Sequence, residues 1–218
     1  MRLSLLRRHD RAGFTLVELL AVILILSILV WALTKGLFDA MGATKVQTTR
    51  QLLAKLGAAA EHYQREAAGK YPPSSFEPGH EVGNDGRNVG IEAFVVALFS
   101  QKFEAGGLLE DVRDTLVNTD ADSSPRQLTD FATRELLEVP DAWGNPVAYI
   151  ERTDYTATNR RYLSYDGKTG EQLESAPVPI KNARTGQFYA AQTFQFISAG
   201  EDGQFGTDDD VTAFERED

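Results

Sequence analysis

One apolar run dominates the chain. Residues 14–33, FTLVELLAVILILSILVWAL, carry a single charge, Glu18, and two hydroxyls, Thr15 and Ser27. As a helix these residues rise roughly 30 Å, about the hydrocarbon thickness of a bilayer, so the run predicts a membrane span. Over residues 37–66 the pattern changes. Leu53, Leu56, Ala60 and Tyr63 recur at helical spacing with Lys, Gln, Arg and Glu elsewhere, which predicts a stripe packed on a head domain. No proline occurs between Phe14 and Tyr71, so one helix is expected from Phe14 to about Ala68. Gly36, Gly42 and Gly57 each weaken it by about 1 kcal/mol relative to alanine, and bends or local melting are expected near residues 36–42. Gly69, followed by Pro72 and Pro73, terminates it.

Beyond the helix the periods shorten. Residues 77–90 hold four glycines and read as a loop, residues 91–99 as a short buried helix, and residues 108–131 are acidic without a clear period. Trp143 offers a large apolar anchor before the turn Gly144-Asn145-Pro146, and residues 147–150 read as a strand. Residues 161–165 predict a second strand entering a turn at Asp166-Gly167. Residues 192–197 predict a third, with Phe194 and Phe196 on one face. Residues 174–187 read as a surface excursion. The fold class is α+β: a long N-terminal helix, its first part transmembrane, packed on a small antiparallel sheet.

Charge orients this arrangement. Of 218 residues, 22 are Lys or Arg against 32 Asp or Glu, a net −10 that repels phosphate backbones, so no nucleic-acid partner is expected. Arg2, Arg7, Arg8 and Arg11 precede the apolar run with only Asp10 to offset them, which places the leader in the cytoplasm and the acidic bulk outside. Trp31-Ala32-Leu33-Thr34-Lys35 makes a poor signal-peptidase site, so the helix is expected to stay on the mature chain as an anchor. An anchor alone does not explain Glu18, whose charge at a helix centre would cost roughly 2.5–3.5 kcal/mol, and less near the end.

Candidate chemistry is sparse. The absence of cysteine excludes disulfides, thiolate metal centres and thiol catalysis, and three histidines leave little for a triad. His80, near Glu81 and Asp85, reads as a solvated loop histidine. No GxSxG, HExxH, phosphate-loop or dinucleotide motif occurs, so no enzyme activity and no catalytic residue is expected. The richest segment is residues 198–211, with Glu201, Asp202, Asp208, Asp209 and Asp210 and neither lysine nor arginine. Two readings stand: a solvated acidic turn, or a calcium loop using carboxylates, the Ser198 hydroxyl and main-chain carbonyls. The spacing is not that of an EF-hand.

GFTLVELL at residues 13–20, behind a short basic leader and ahead of an apolar helix, resembles the leader of type IV pilins and type II secretion pseudopilins. Three further strings resemble the major pseudopilins: GKYPP at 69–73, DAWGNP at 141–146, and the serine-to-aspartate loop at 198–211. The similarity covers residues 13–72 and 137–211; residues 74–130 and 151–190 are longer than the family leads one to expect.

The resemblance implies a pilin-like fold with a leader at 1–13, a long helix at 14–69 (14–34 in the membrane) and a head at 70–218. It implies cleavage between Gly13 and Phe14 by a prepilin peptidase, N-methylation of Phe14, and pairing of Glu18 with the new α-amino group of a neighbouring subunit. It also implies calcium held by Ser198, Asp202 and a late aspartate, with Asp208, Asp209 and Asp210 left as alternatives. The implied role is a subunit of a periplasmic filament for protein export. Its partners would be further copies of itself, minor pseudopilins and an inner-membrane assembly platform with its cytoplasmic ATPase. The alternatives are a type IV or competence pilin for adhesion or DNA uptake, and, in another class, a membrane-anchored extracellular enzyme or glycan-binding module.

Overall fold

A computed structural model describes residues 15–77, 82–100 and 104–216. The chain divides between Ala43 and Thr44 into two compact units, and helix α1 (Leu16–Glu66) supplies residues to both. Contrary to the melting expected near residues 36–42, α1 is helical through Gly36 and Gly42. A penalty of about 1 kcal/mol per glycine is small beside a helix of this length whose other residues favour helix. The second unit begins within α1, at Thr44, because one face of the helix is core: Thr49, Leu53, Leu56, Ala59 and Ala60 are wholly buried. Burying each leucine contributes roughly 1.5–3 kcal/mol.

The helix stops as the sequence suggests. Gly69 adopts φ +86° and its amide bonds to the Gln64 carbonyl at 2.9 Å, the six-to-one bond of a glycine-terminated helix. The chain then turns so that Tyr71 meets Phe194 edge-on at 5.1 Å and the Pro72 carbonyl accepts from the Tyr149 hydroxyl at 2.8 Å. After a loop comes α2 (Val89–Leu98), and then a short 3₁₀ turn (Glu104–Leu109) that runs into α3 (Glu110–Arg113). The acidic stretch that follows is irregular. It is held by isolated bridges pairing Val117 with Glu138 and Ser123 with Glu135.

Among the described residues, five short strands complete the head: β1 (Ala148–Glu151), β2 (Tyr162–Tyr165), β3 (Gln172–Ser175), β4 (Phe194–Ser198) and β5 (Val211–Thr212). They form two antiparallel sheets rather than one, in the orders β1-β4-β5 and β2-β3. Part of the expected surface excursion is therefore strand: β3 returns along β2 through a turn in which Asp166 Oδ1 accepts from the amides of Lys168 and Thr169. Phe194 and Phe196 do share a face, with ring centroids 5.4 Å apart. Tyr149 and Phe94 pack on Phe196 at 4.7 and 5.2 Å to make an aromatic centre.

Strand β1 lies at the edge of its sheet, and its outward amides are capped by side chains. The Glu151 amide donates to Ser74 Oγ at 2.9 Å, and the Tyr149 amide to Tyr162 Oη at 3.3 Å. Tyr162 Oη also accepts from the Ile91 amide at 3.1 Å, so one buried phenol joins β1, β2 and α2. The Ile91 amide keeps the Asn88 carbonyl at 3.1 Å, so Tyr162→Phe is expected to leave the buried Tyr149 amide without an acceptor and to lower head stability by about 1–3 kcal/mol. Thermal unfolding of the full chain in detergent measures this; an unchanged midpoint would show that the hydroxyl contributes nothing.

Candidate functional site

Gly13 and Phe14 lie outside the described residues, so the site at the start of the helix is read from Thr15 onward. Thr15 and Glu18 form a capping box. The Thr15 amide and hydroxyl donate to Glu18 Oε2 at 2.9 and 2.8 Å, and the Glu18 amide donates to Thr15 Oγ1 at 3.2 Å. Both bonds to the carboxylate fall on Oε2, leaving Oε1 without a donor among the described residues. Thr15, three residues before Glu18, is the sequence signal for this cap, a second role for the carboxylate beside the pairing implied by the resemblance.

Along the apolar run the other polar groups are satisfied within the helix. Ser27 Oγ donates to the Ile23 carbonyl at 2.8 Å and Thr34 Oγ1 to the Val30 carbonyl at 2.7 Å. The large apolar side chains from Leu16 to Met41 are exposed, and α1 is long and apolar enough to cross a membrane.

At the other end of the sequence, residues 198–211 form a tight loop between β4 and β5. Gly200, at φ +65°, makes it possible: a Cβ there would lie 2.4 Å from the Asp209 carbonyl oxygen. The Asp202 amide donates to Asp209 Oδ2 at 3.0 Å, and Thr207 Oγ1 donates to Asp209 Oδ1 at 2.5 Å. Asp202 Oδ1 accepts from the Gln204 amide at 2.7 Å. Asp210 Oδ2 accepts from the Gly206 amide at 2.9 Å, while its Oδ1 is buried without a donor. Burial raises the Asp210 carboxyl to about 6 against the pull of Gly206 and Arg216, and Asp209 and Asp202 add repulsion. Asp208 is exposed.

Three further features describe this loop. Wholly buried Ser198 donates its hydroxyl to Asp141 Oδ2 at 2.6 Å, which ties it to the DAWGNP segment. Cations come from outside the loop, Arg216 reaching Asp210 at 3.6 Å and Lys168 reaching Glu201 at 2.9 Å. Among the described residues, the carboxylate trios whose oxygens all lie within 4.8 Å of one another fall elsewhere, and within the loop it is the Asp202 amide that meets the Asp209 carboxylate.

The DAWGNP segment fixes the loop's neighbours. Asp141 Oδ1 accepts from the amides of Trp143 and Asn145 at 2.8 and 3.0 Å. Asn145 pairs with both main-chain groups of Tyr165, its Oδ1 accepting at 2.7 Å and its Nδ2 donating at 2.8 Å. Trp143 packs half-buried against the core with Lys45 5.8 Å above its ring, the structural part expected of it.

Residues 8–34 match the family model of the prokaryotic N-terminal methylation motif, which is typical of type IV pilin-like proteins and pseudopilins. No curated protein and no solved structure matches the chain.

Proposed function

We propose that this chain, type IV pilin-like by its N-terminal methylation motif and its fold, is a pseudopilin of a type II secretion filament. The observation that carries the reading is the motif itself, continued by a capped apolar helix whose carboxylate at Glu18 has one oxygen without a donor among the described residues. A prepilin peptidase removes residues 1–13, Phe14 is methylated, and the subunit waits in the inner membrane with its head in the periplasm. An assembly platform then draws subunits into a filament of like chains and minor pseudopilins, and the growing filament pushes folded cargo outward. No catalytic residue is needed for that work.

The GKYPP, DAWGNP and acidic-loop strings support the secretion reading over a pilus for adhesion. In this reading calcium binds the acidic loop through Asp202 and Asp209, with Asp210 Oδ1 as the further oxygen that lacks a donor.

Mass spectrometry of the chain extracted from membranes tests the processing, with a methylated N-terminus at Phe14 expected. A start at Met1, or after residue 34, overturns the reading. Deleting the gene is expected to leave folded cargo in the periplasm while surface pili persist. Normal export with lost pili would assign the chain to a pilus instead.

A further inference from the structure

Three stretches distant in sequence converge inside the head: the approach to and first turn of α2, residues 117–122, and Glu138. The Val117 and Glu138 amides exchange bonds with each other's carbonyls at 3.0 and 2.7 Å, which holds residues 117–122 beside the start of α2. Asn88 organises the junction from a wholly buried position. Its Nδ2 donates to Glu138 Oε1 at 2.8 Å and to Thr119 Oγ1 at 2.9 Å, and its Oδ1 accepts from the Leu163 amide at 3.0 Å.

Around that residue gather carboxylates. Oxygens of Glu92, Asp120 and Glu138 all lie within 4.8 Å of one another, and Glu92 and Glu138 are both 0 % exposed. A second trio, Asp85, Asp120 and Asp122, meets the same limit and shares Asp120 with the first.

The hydrogen bonds of this cluster do not close. Glu138 is well served, by Asn88 and by the amide and hydroxyl of Thr119. Glu92 Oε2 accepts from Asn84 Nδ2, yet Glu92 Oε1 is buried with no donor among the described residues. Asp120 Oδ1 and Asp122 Oδ1 are in the same state, and Asp122 is only 8 % exposed. Among the described residues, no lysine or arginine forms an ion pair with Glu92, Asp120, Asp122 or Glu138. Arg87 sits at the exposed rim, paired with Asp85 at 2.7 Å and Glu174 at 2.9 Å.

Such an arrangement is unfavourable as it stands. Burial, with repulsion from Asp122, Asp120 and Glu138, pushes the Glu92 carboxyl up to about 10. Burial carries Glu138 up to about 8 against its hydrogen bonds. An all-acceptor cluster with several unfilled oxygens is what a hard cation satisfies.

We propose that Glu92, Asp120 and Glu138 form a buried site for a divalent cation of the calcium class, distinct from the C-terminal acidic loop. The donors are all oxygens, with no histidine or cysteine among them, which selects a hard ion. Calcium accepts many oxygens in irregular geometry, whereas magnesium requires a near-ideal octahedron and releases its waters reluctantly. Asp120 links the buried trio to Asp85 and Asp122, which extends the oxygen supply toward the rim. The bound ion joins α2 to residues 117–122 and to Glu138, pinning a long segment that otherwise has little regular structure.

Calcium bound per full-length chain in detergent is the measurement, by equilibrium dialysis with elemental analysis, on the parent, Asp202→Ala, Glu92→Gln and the double variant. The Asp202→Ala chain is expected to retain one calcium, and the double variant to lose it. The Asp202→Ala unfolding midpoint is expected to rise in calcium over chelator, more than in equal magnesium, and that rise to vanish with Glu92→Gln. Asp120→Asn, at a half-exposed position, is expected to act as Glu92→Gln does and serves should the glutamine variant not fold.

Absence of stoichiometric calcium in Asp202→Ala overturns the proposal, as does binding undiminished by Glu92→Gln and Asp120→Asn. A midpoint insensitive to calcium that rises on acidification would assign the cluster to carboxyls sharing protons, and also overturns it. Should Asp202→Ala bind as much calcium as the parent while Glu92→Gln loses one ion, the acidic-loop reading fails and the buried site stands.

Discussion

Glu18→Ala is expected to insert and to be cleaved, yet to give at least tenfold fewer filaments than the parent at matched expression. Removing the carboxylate relieves an insertion penalty of at most roughly 2.5–3.5 kcal/mol, so delivery to the membrane does not suffer. Two interactions are lost. The capping box with Thr15 contributes about 0.5–2 kcal/mol to the helix start. In the proposed filament, Glu18 Oε1 would also no longer meet the α-amino group of a neighbouring Phe14, an ion pair whose partners are costly to leave unpaired in hydrocarbon.

Glu18→Gln separates these contributions, since glutamine can still accept from Thr15 but carries no charge. Filaments sheared from cells and counted by electron microscopy are expected to be scarce for both variants. Recovery in Glu18→Gln would assign the role to the cap, and parental abundance in Glu18→Ala would remove the residue from assembly.

What the sequence made legible was whatever repeats or terminates. The stripe through Leu53, Leu56 and Ala60 follows a 3.6-residue period and is buried. The glycine before paired prolines ends α1, and Phe194 and Phe196 alternate onto one face. Strand β3 left no such mark, because in Gln172-Leu173-Glu174-Ser175 only one residue is apolar and the strand lies on the surface. Strand β5 is two residues long and defined only by its partner β4. The boundary between the two units left no mark for a related reason: the apolar run and the core-facing stripe share one helix, with no break in its sequence where one becomes the other.

The polar sites divide the same way. Carboxylates crowded into residues 201–210 are visible as a run, whereas Glu92, Asp120 and Glu138 are scattered and become a cluster only through long-range contacts. One local sign existed: Glu92 stands inside the apolar stretch Ile91-Glu92-Ala93-Phe94, on a helix too buried to leave a charge in water. Likewise, Asp141 and Ser198 each belong to a recognisable string, but their bond at 2.6 Å is a tertiary fact.

Gly90→Ala is expected to destabilise the head by more than about 3 kcal/mol, although alanine is the better helix former by about 1 kcal/mol. Gly90 lies in the first turn of α2, where the helix presses on β1 and β2. A Cβ there would stand 2.2 Å from the Tyr149 carbonyl oxygen and 2.6 Å from Tyr162 Oη. The first neighbour is main chain of a fully buried strand and cannot yield. The second can move only by releasing the Tyr149 amide and one of the two acceptors of the Ile91 amide, and a buried amide left without an acceptor costs about 1–3 kcal/mol.

Gly57→Ala is the control: a Cβ there meets the Phe194 ring at 3.8 Å, an ordinary contact, so the substitution is expected to be neutral or to gain up to about 1 kcal/mol. In thermal unfolding of the full chain, Gly90→Ala is expected to lower the midpoint by roughly 6 °C or more, at about 2–4 °C per kcal/mol for a domain of this size. If Gly90→Ala melts at or above the parent, α2 does not lie against β1 and β2 as described. The enclosure of Glu92 two residues further along the helix would fall with that contact.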